Sequence, residues 1–252
     1  MTRRGLFLLP SLALAQASRP RLNLIWTTNA IPAAFARQAL VFPRAYTACP
    51  DPAPAAQALE RGRFPHAFTP KDATLWNYFD RSTDPDALTI ITSASTNGVD
   101  APEDQAIHVP LAIRWPGRLQ PRVVNDVLIS HIDLLPTLLA LINQPKPPTA
   151  QGRDLSSWLT RGTGSKPDSI FAEGRLGRRD EWRALVRGFD KLTWNLSNEI
   201  TGLYNLADDP FEQKDLQRSR DHRVIHDNLW ALAQQWMARL EDRIDSHGLR
   251  TR

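Results

Sequence analysis

A chain of 252 residues, 42% hydrophobic and 23% charged, has the composition of a folded globular protein with one substantial core and room for a smaller second lobe. Its net charge of +4 comes mostly from arginines scattered among acids, which argues against a nucleic-acid partner, and its single cysteine, Cys49, excludes an internal disulfide. Twenty prolines against twelve glycines imply many rigid loops rather than low-complexity sequence.

Residues 1–17 read as an export signal: Arg3-Arg4, an apolar run over 5–14 that Pro10 would break as a helix, then Ala15-Gln16-Ala17 as a small-x-small cleavage site. The expected mature chain is exported, periplasmic or extracellular, and begins at or near Ser18; the Arg pair suits either the general or the twin-arginine route. Loss of this segment leaves a net charge of about +2. No other stretch has the roughly 18 consecutive apolar residues of a membrane span.

Residues 21–27 (RLNLIWT) form a strand pattern entering a polar turn at Thr28-Asn29, with a helical stretch expected over 31–40. Residues 53–61 are alanine-rich and helical in character, and Pro52 or Pro54 suits the first turn. Strands are predicted over 87–93, running into a turn at 94–98, and over 109–115. Leucines at helical spacing over 130–142 follow Ser130, a capping residue with Asp133 three positions on, while Pro136 is expected to tighten or end the first turns. Glycine and proline mark a linker at 161–167.

Beyond it, short strand patterns at 169–172, 182–187, 191–195 and 202–206, separated by polar turns, predict an antiparallel sheet. A last helix is expected over 221–244, with Ile225, Leu229, Leu232, Trp236, Leu240 and Ile244 on one stripe.

Several motifs together carry a resemblance. Phe42, Ala45, Tyr46, Pro54, Leu59, Gly62, Arg63, Phe64, Pro65 and His66 fall in register with the nucleophile-bearing segment of the sulfatase family. HVPLAIRWPG at 108–117, VLISHIDLLPTLL at 127–139, QGRDLSSWL, IFAEG and LYNLADDPFEQKDL at 203–216 continue the likeness in family order. The resemblance implies an α/β chain: a shortened alkaline-phosphatase-like, mostly parallel sheet flanked by helices, plus a small C-terminal antiparallel sheet with a long helix. It divides the chain into a leader at 1–17, an internally deleted sulfatase-like domain at 18–162 and a C-terminal subdomain at 163–252.

The same resemblance implies lost chemistry. The family cysteine that matures to formylglycine falls on Pro52, its serine on Ala55 and its arginine on Ala56. The acidic pairs that hold the family's calcium fall on Thr28-Asn29 and Thr96-Asn97, which contain no carboxylate, so no cofactor is expected. The segment that supplies the family's sulfate-binding lysines and its acid is cut to about two dozen residues after His66, with Lys71 its one lysine. A pocket lined by Thr28, Asn29, Thr96 and Asn97 is left as a vestigial binding site.

Other residues are read as structural. Cys49 is expected to be a buried, inert thiol, since the maturation pattern does not follow it. His222 and His226, one helical turn apart, lack a third ligand; His131 and Asp133 are assigned to capping and packing, and most tryptophans to the core. Three functions stay open: a pseudoenzyme that binds a sulfated glycan or a protein partner, an ester hydrolase with a relocated site around Thr28, Asn29 and Thr96, or a product without selected activity.

Overall fold

The computed structural model describes residues 18–28, 30–94, 100–164 and 166–240; the expected leader and Ile244 lie outside them. The first sheet has seven strands: β1 (Arg21–Trp26), β2 (Leu40–Tyr46), β3 (Asp80–Arg81), β4 (Leu88–Thr92), β5 (His108–Arg114), β6 (Arg122–Val123) and β7 (Ile129–Ser130). Their order is β3-β1-β4-β5-β2-β6, with β7 also pairing to β2. β5 alone runs antiparallel to its neighbours, so the sheet is mostly parallel, as the resemblance implies.

The helix expected over 31–40 is mostly absent. Only α1 (Ala33–Ala36) is helical there, and Leu40 already opens β2. Pairing on both sides and burial of Leu40, Phe42, Ala45 and Tyr46 outweigh the helical propensity of the preceding alanines and glutamine. Pro43 is accommodated by a register shift between Phe42 and Ala45, which removes the need for its missing N–H.

The helix α2 (Pro52–Arg61) follows β2, and the short α3 (Asp104–Ile107) precedes β5. Ser130 ends β7 and stands, as expected, at an N-cap with Asp133 accepting its N–H, but the element it opens is a 3₁₀ turn, His131–Asp133, that leads into α4 (Leu134–Leu141). Pro136 sits in the first turn of α4, where no intrahelical N–H is required, and the helix continues through it. α5 (Ser156–Arg161) ends at Gly162, whose φ of +66° suits glycine.

The second sheet is the predicted antiparallel one, formed by β8 (Ser169–Gly174), β9 (Trp182–Arg187), β10 (Asp190–Asn195) and β11 (Ile200–Asn205) in the order β11-β10-β9-β8. Helix α6 (Arg223–Leu240) closes it with Leu229, Ala233, Trp236 and Leu240 buried. These pack against Phe171, Leu185, Leu192 and Trp194, and Ala48, Ala58, Phe64 and Ile132 of the first lobe enter the same cluster. The second sheet therefore rests on the loop before α2. Among the described residues, no helix is long and apolar enough to cross a membrane.

Candidate functional site

Strands β1, β2, β4 and β7 all run in one direction, so the segments that follow them leave at one edge of the sheet. Ligands of open α/β sheets bind at such carboxyl edges. Trp26 pairs with Thr92, and the Thr27 N–H donates to the Thr92 carbonyl at 2.8 Å. The two polar pairs singled out in the sequence thus follow neighbouring strands. Thr28 is exposed there, whereas Asn29, Thr96 and Asn97 lie outside the described residues.

Pro52 occupies the first position of α2 and is exposed. The helix starts here because Asp51 caps it, its carboxylate accepting from the Ala53 N–H at 3.4 Å, and because proline's fixed φ and missing N–H cost nothing at that position. Gly62 ends it at φ +62°, within 3.1 Å of what would be a Cβ contact with the Ile132 carbonyl. Ala55 is buried and Ala56 half-buried, so neither offers a polar group beside Pro52.

Cys49 is buried as expected, and burial, reinforced by the nearby negative charges of Glu173 and Asp51, pushes its thiol well above the usual range. A thiol held protonated is a poor nucleophile. Its carbonyl accepts from the Thr47 hydroxyl at 2.6 Å, which fixes the loop into α2.

One hydroxyl–imidazole pair lies near this edge: Thr92 Oγ1 is 2.9 Å from His131 Nε2. It does not have the character of a nucleophile and base. Thr92 Oγ1 also donates to the Pro110 carbonyl at 2.8 Å, an oxygen that can only accept, so its one proton is committed and Nε2 carries the hydrogen between the pair. Complete burial lowers the His131 pKa from 6.5 to about 3, which keeps the ring neutral. The ring also meets Trp26 edge-on at 6.3 Å.

The most extensive polar groups were not singled out for pairing in the sequence. His66 Nδ1 lies 2.6 Å from Glu173 Oε2, the His66 N–H donates to Glu173 Oε1 at 3.0 Å, and buried Arg183 stands 3.9 Å from Glu173 and 2.9 Å from Glu181. Asp133 accepts from the Ser130 N–H at 2.9 Å, from the Arg153 N–H at 2.7 Å and from the Arg153 guanidinium at 2.8 Å. Arg153 also donates to the Ser169 and Leu128 carbonyls. Both groups join the two lobes. The motifs PH, IFAEG and GRDL carry them, but the pairing partners are far apart in sequence and no local period betrays them.

Elsewhere, Lys71 is exposed, His222 Nδ1 lies 2.9 Å from the Ser219 hydroxyl and His226 Nδ1 lies 2.9 Å from Asp227.

Of the positions that the resemblance gives to the ligands of a calcium ion, Thr28 is described, and it carries no carboxylate. A hard cation needs several carboxylate or carbonyl oxygens converging on one point. Thr28 offers a hydroxyl, while Asp51 is engaged in the α2 cap, Asp100 accepts from the Arg175 N–H at 2.9 Å and Glu173 meets His66. Among the described residues, no three His, Cys, Asp or Glu side chains are grouped to hold a metal.

The fold, a mostly parallel α/β sheet followed by a four-stranded antiparallel sheet and a long helix, is that of sulfatase structures. It superposes on the structure of a 2-O GAG sulfatase with a TM-score of 0.76 at 14% identity, covering 92% of this chain and 94% of that one. A second structure, solved in complex with its substrate D-glucosamine-2-N,6-O-disulfate, matches at 15% identity with a TM-score of 0.55, covering 62% of this chain and 35% of that one. Residues 102–172 match the family model described as N-sulphoglucosamine sulphohydrolase, C-terminal. Arylsulfatase A of Homo sapiens is 45% identical over 67 residues, which are 26% of this chain and 13% of that protein. The chain is thus similar in sequence to sulfatases over part of its length, and it shares the fold of sulfatase structures. Its matches span about a third, at most, of the length of the curated relatives.

Proposed function

We propose that this chain is an exported sulfatase-like pseudoenzyme that binds a sulfated glycan without cleaving it. The observation that carries the reading is Pro52. It stands at the exposed first position of α2, where the family resemblance puts the formylglycine precursor, and a proline side chain has no atom able to attack sulfur or phosphorus. Two further features support it. Asp51 and Glu173 are occupied in a helix cap and a lobe junction, and the edge hydroxyl Thr92 has its proton committed to a carbonyl. A structural neighbour holds a sulfated glucosamine as its substrate, and the fold that presents the carboxyl edge is shared with it. Retained recognition with lost chemistry is the simplest function compatible with these features.

The test has two arms on the purified protein. Nitrophenol release from nitrophenyl sulfate and nitrophenyl phosphate is expected to stay at background with and without added calcium, while a sulfated oligosaccharide binds saturably and its desulfated counterpart does not. Turnover that Thr28→Ala or Asn97→Ala abolishes would overturn this reading in favour of an ester hydrolase with a relocated site. Absence of any sulfate-dependent binding would remove the glycan-binding role.

A further inference from the structure

We propose that the turn at residues 175–181, between β8 and β9, is an anion-recognition element in which Arg178 and Arg179 take a sulfate group of the glycan. The inference rests on the glycan-binding reading and assigns it a place on the molecule.

The turn is built onto the carboxyl edge of the first sheet. The Glu173 N–H, at the end of β8, donates to the Ala48 carbonyl at 2.9 Å, which sets this end of the hairpin against the loop that leads into α2 and Pro52. The next residue has to be glycine: a Cβ on Gly174 would stand 2.3 Å from the Trp182 ring and 2.4 Å from Asp100 Oδ1. That close approach brings Asp100 onto the turn. Its carboxylate accepts from the Arg175 N–H at 2.9 and 3.1 Å, and its carbonyl accepts from Arg175 Nε at 2.9 Å.

The turn is also internally fixed. Arg175 and Gly177 are held at φ +52° and +77°, the Gly177 N–H donates to Glu181 Oε2 at 2.7 Å, and the Arg178 N–H donates to the Arg175 carbonyl at 3.0 Å. A backbone ordered beforehand lowers the entropic cost of binding through it.

The charge balance then singles out two side chains. Asp180 pairs with Arg175, and Glu181 pairs with Arg183 at 2.9 Å, so both acids of the turn are matched by other arginines. Arg178 and Arg179 are exposed, and among the described residues neither makes an ion pair. Two adjacent guanidinium groups on a fixed turn offer forked N–H donors that suit the oxygens of a sulfate better than a lysine's point charge does.

Calorimetric titration with a chemically defined sulfated oligosaccharide tests the assignment. Wild type is compared with Arg178→Ala/Arg179→Ala, with Arg178→Lys/Arg179→Lys, and with Arg218→Ala/Arg220→Ala, a charge-matched control on the exposed segment before α6. The Arg178/Arg179 alanine pair is expected to weaken binding by about tenfold or more, the lysine pair to recover only part of it, and the control to stay within about twofold. Equal losses in the turn and control variants would show a general charge effect and overturn the assignment. So would unchanged affinity in the turn variant, which would leave glycan binding itself standing. A wild type that does not bind the sulfated ligand sinks both.

Discussion

The imidazole of His66 and the carboxylate of Glu173 meet at 2.6 Å, and the same carboxylate accepts the His66 backbone N–H at 3.0 Å. One residue follows α2 in the first lobe and the other lies in the first strand of the second sheet. Glu173 is fully buried, with Arg183 beside it. The contact is a two-pronged tie between lobes, and it lies directly behind the loop that presents Pro52.

Glu173→Ala should therefore destabilise the protein by about 3–5 kcal/mol, because it leaves the buried His66 Nδ1 and backbone N–H without their acceptor. Urea titrations of Glu173→Ala, His66→Ala and the double variant measure it. A coupling energy near zero would show that the pair is not a unit.

His131 makes a pH prediction. Burial depresses its pKa from 6.5 to about 3, so between those values the unfolded chain binds a proton that the folded chain refuses. Its contribution is complete above about pH 6.5 and is lost progressively as pH falls toward 3. The steepest loss from this one group is about 1.4 kcal/mol per pH unit. Chemical denaturation between pH 7.5 and 4 should give a shallower acid slope in His131→Gln than in wild type. Parallel slopes would mean that other groups govern the acid transition.

Trp236 stacks on Phe171 at 5.9 Å, meets Phe64 edge-on at 6.4 Å and lies under Arg239 at 3.8 Å. Trp236→Ala should cost about 3–5 kcal/mol, read as a lowered thermal and urea midpoint. A midpoint equal to wild type would show that α6 is peripheral to the second sheet.

Restoring the maturation motif should not restore sulfatase turnover. Pro52→Cys with Ala55→Ser and Ala56→Arg places the family residues at the start of α2, yet Thr28, Asn29, Thr96 and Asn97, where the resemblance puts the metal ligands, still carry no carboxylate. Nucleophile, charge neutralisation and leaving-group protonation act together, so one rebuilt part leaves the rate at background. The variant needs coexpression with a formylglycine-generating activity and mass confirmation of the aldehyde. Turnover of nitrophenyl sulfate by that material would show that the remaining machinery is intact.

The parts of the fold legible in the sequence were those with local signatures. β9 is found at its predicted residues, and β8, β10 and β11 within a few positions, because short apolar runs there are separated by polar turns. The α6 stripe was visible at Leu229, Trp236 and Leu240 for the same reason. β2 was hidden, since Pro43 interrupts its pattern and the preceding segment has helical composition; only its pairing to β5, β6 and β7 reveals it. Near the edge, the start of α2 at Pro52 is readable because proline suits a first helical turn. The Glu173 and Asp133 junctions were not, because a buried ion pair between distant residues leaves no periodicity.

The pairing of β2 bears on how the chain acquires its structure. β2 lies between β5 on one side and β6 and β7 on the other, all of them later in the sequence, while β1 takes β3 and β4. Neither early strand can be satisfied by its immediate successor. During synthesis their unpaired N–H and C=O groups wait until much of the first lobe has emerged, so collapse is dominated by distant contacts and should be slow. The second sheet, whose neighbours are consecutive hairpins, can assemble quickly once made. Refolding should then show a fast phase from the late-synthesised part and a slow one from the early-synthesised part, an order opposite to that in which the ribosome delivers them.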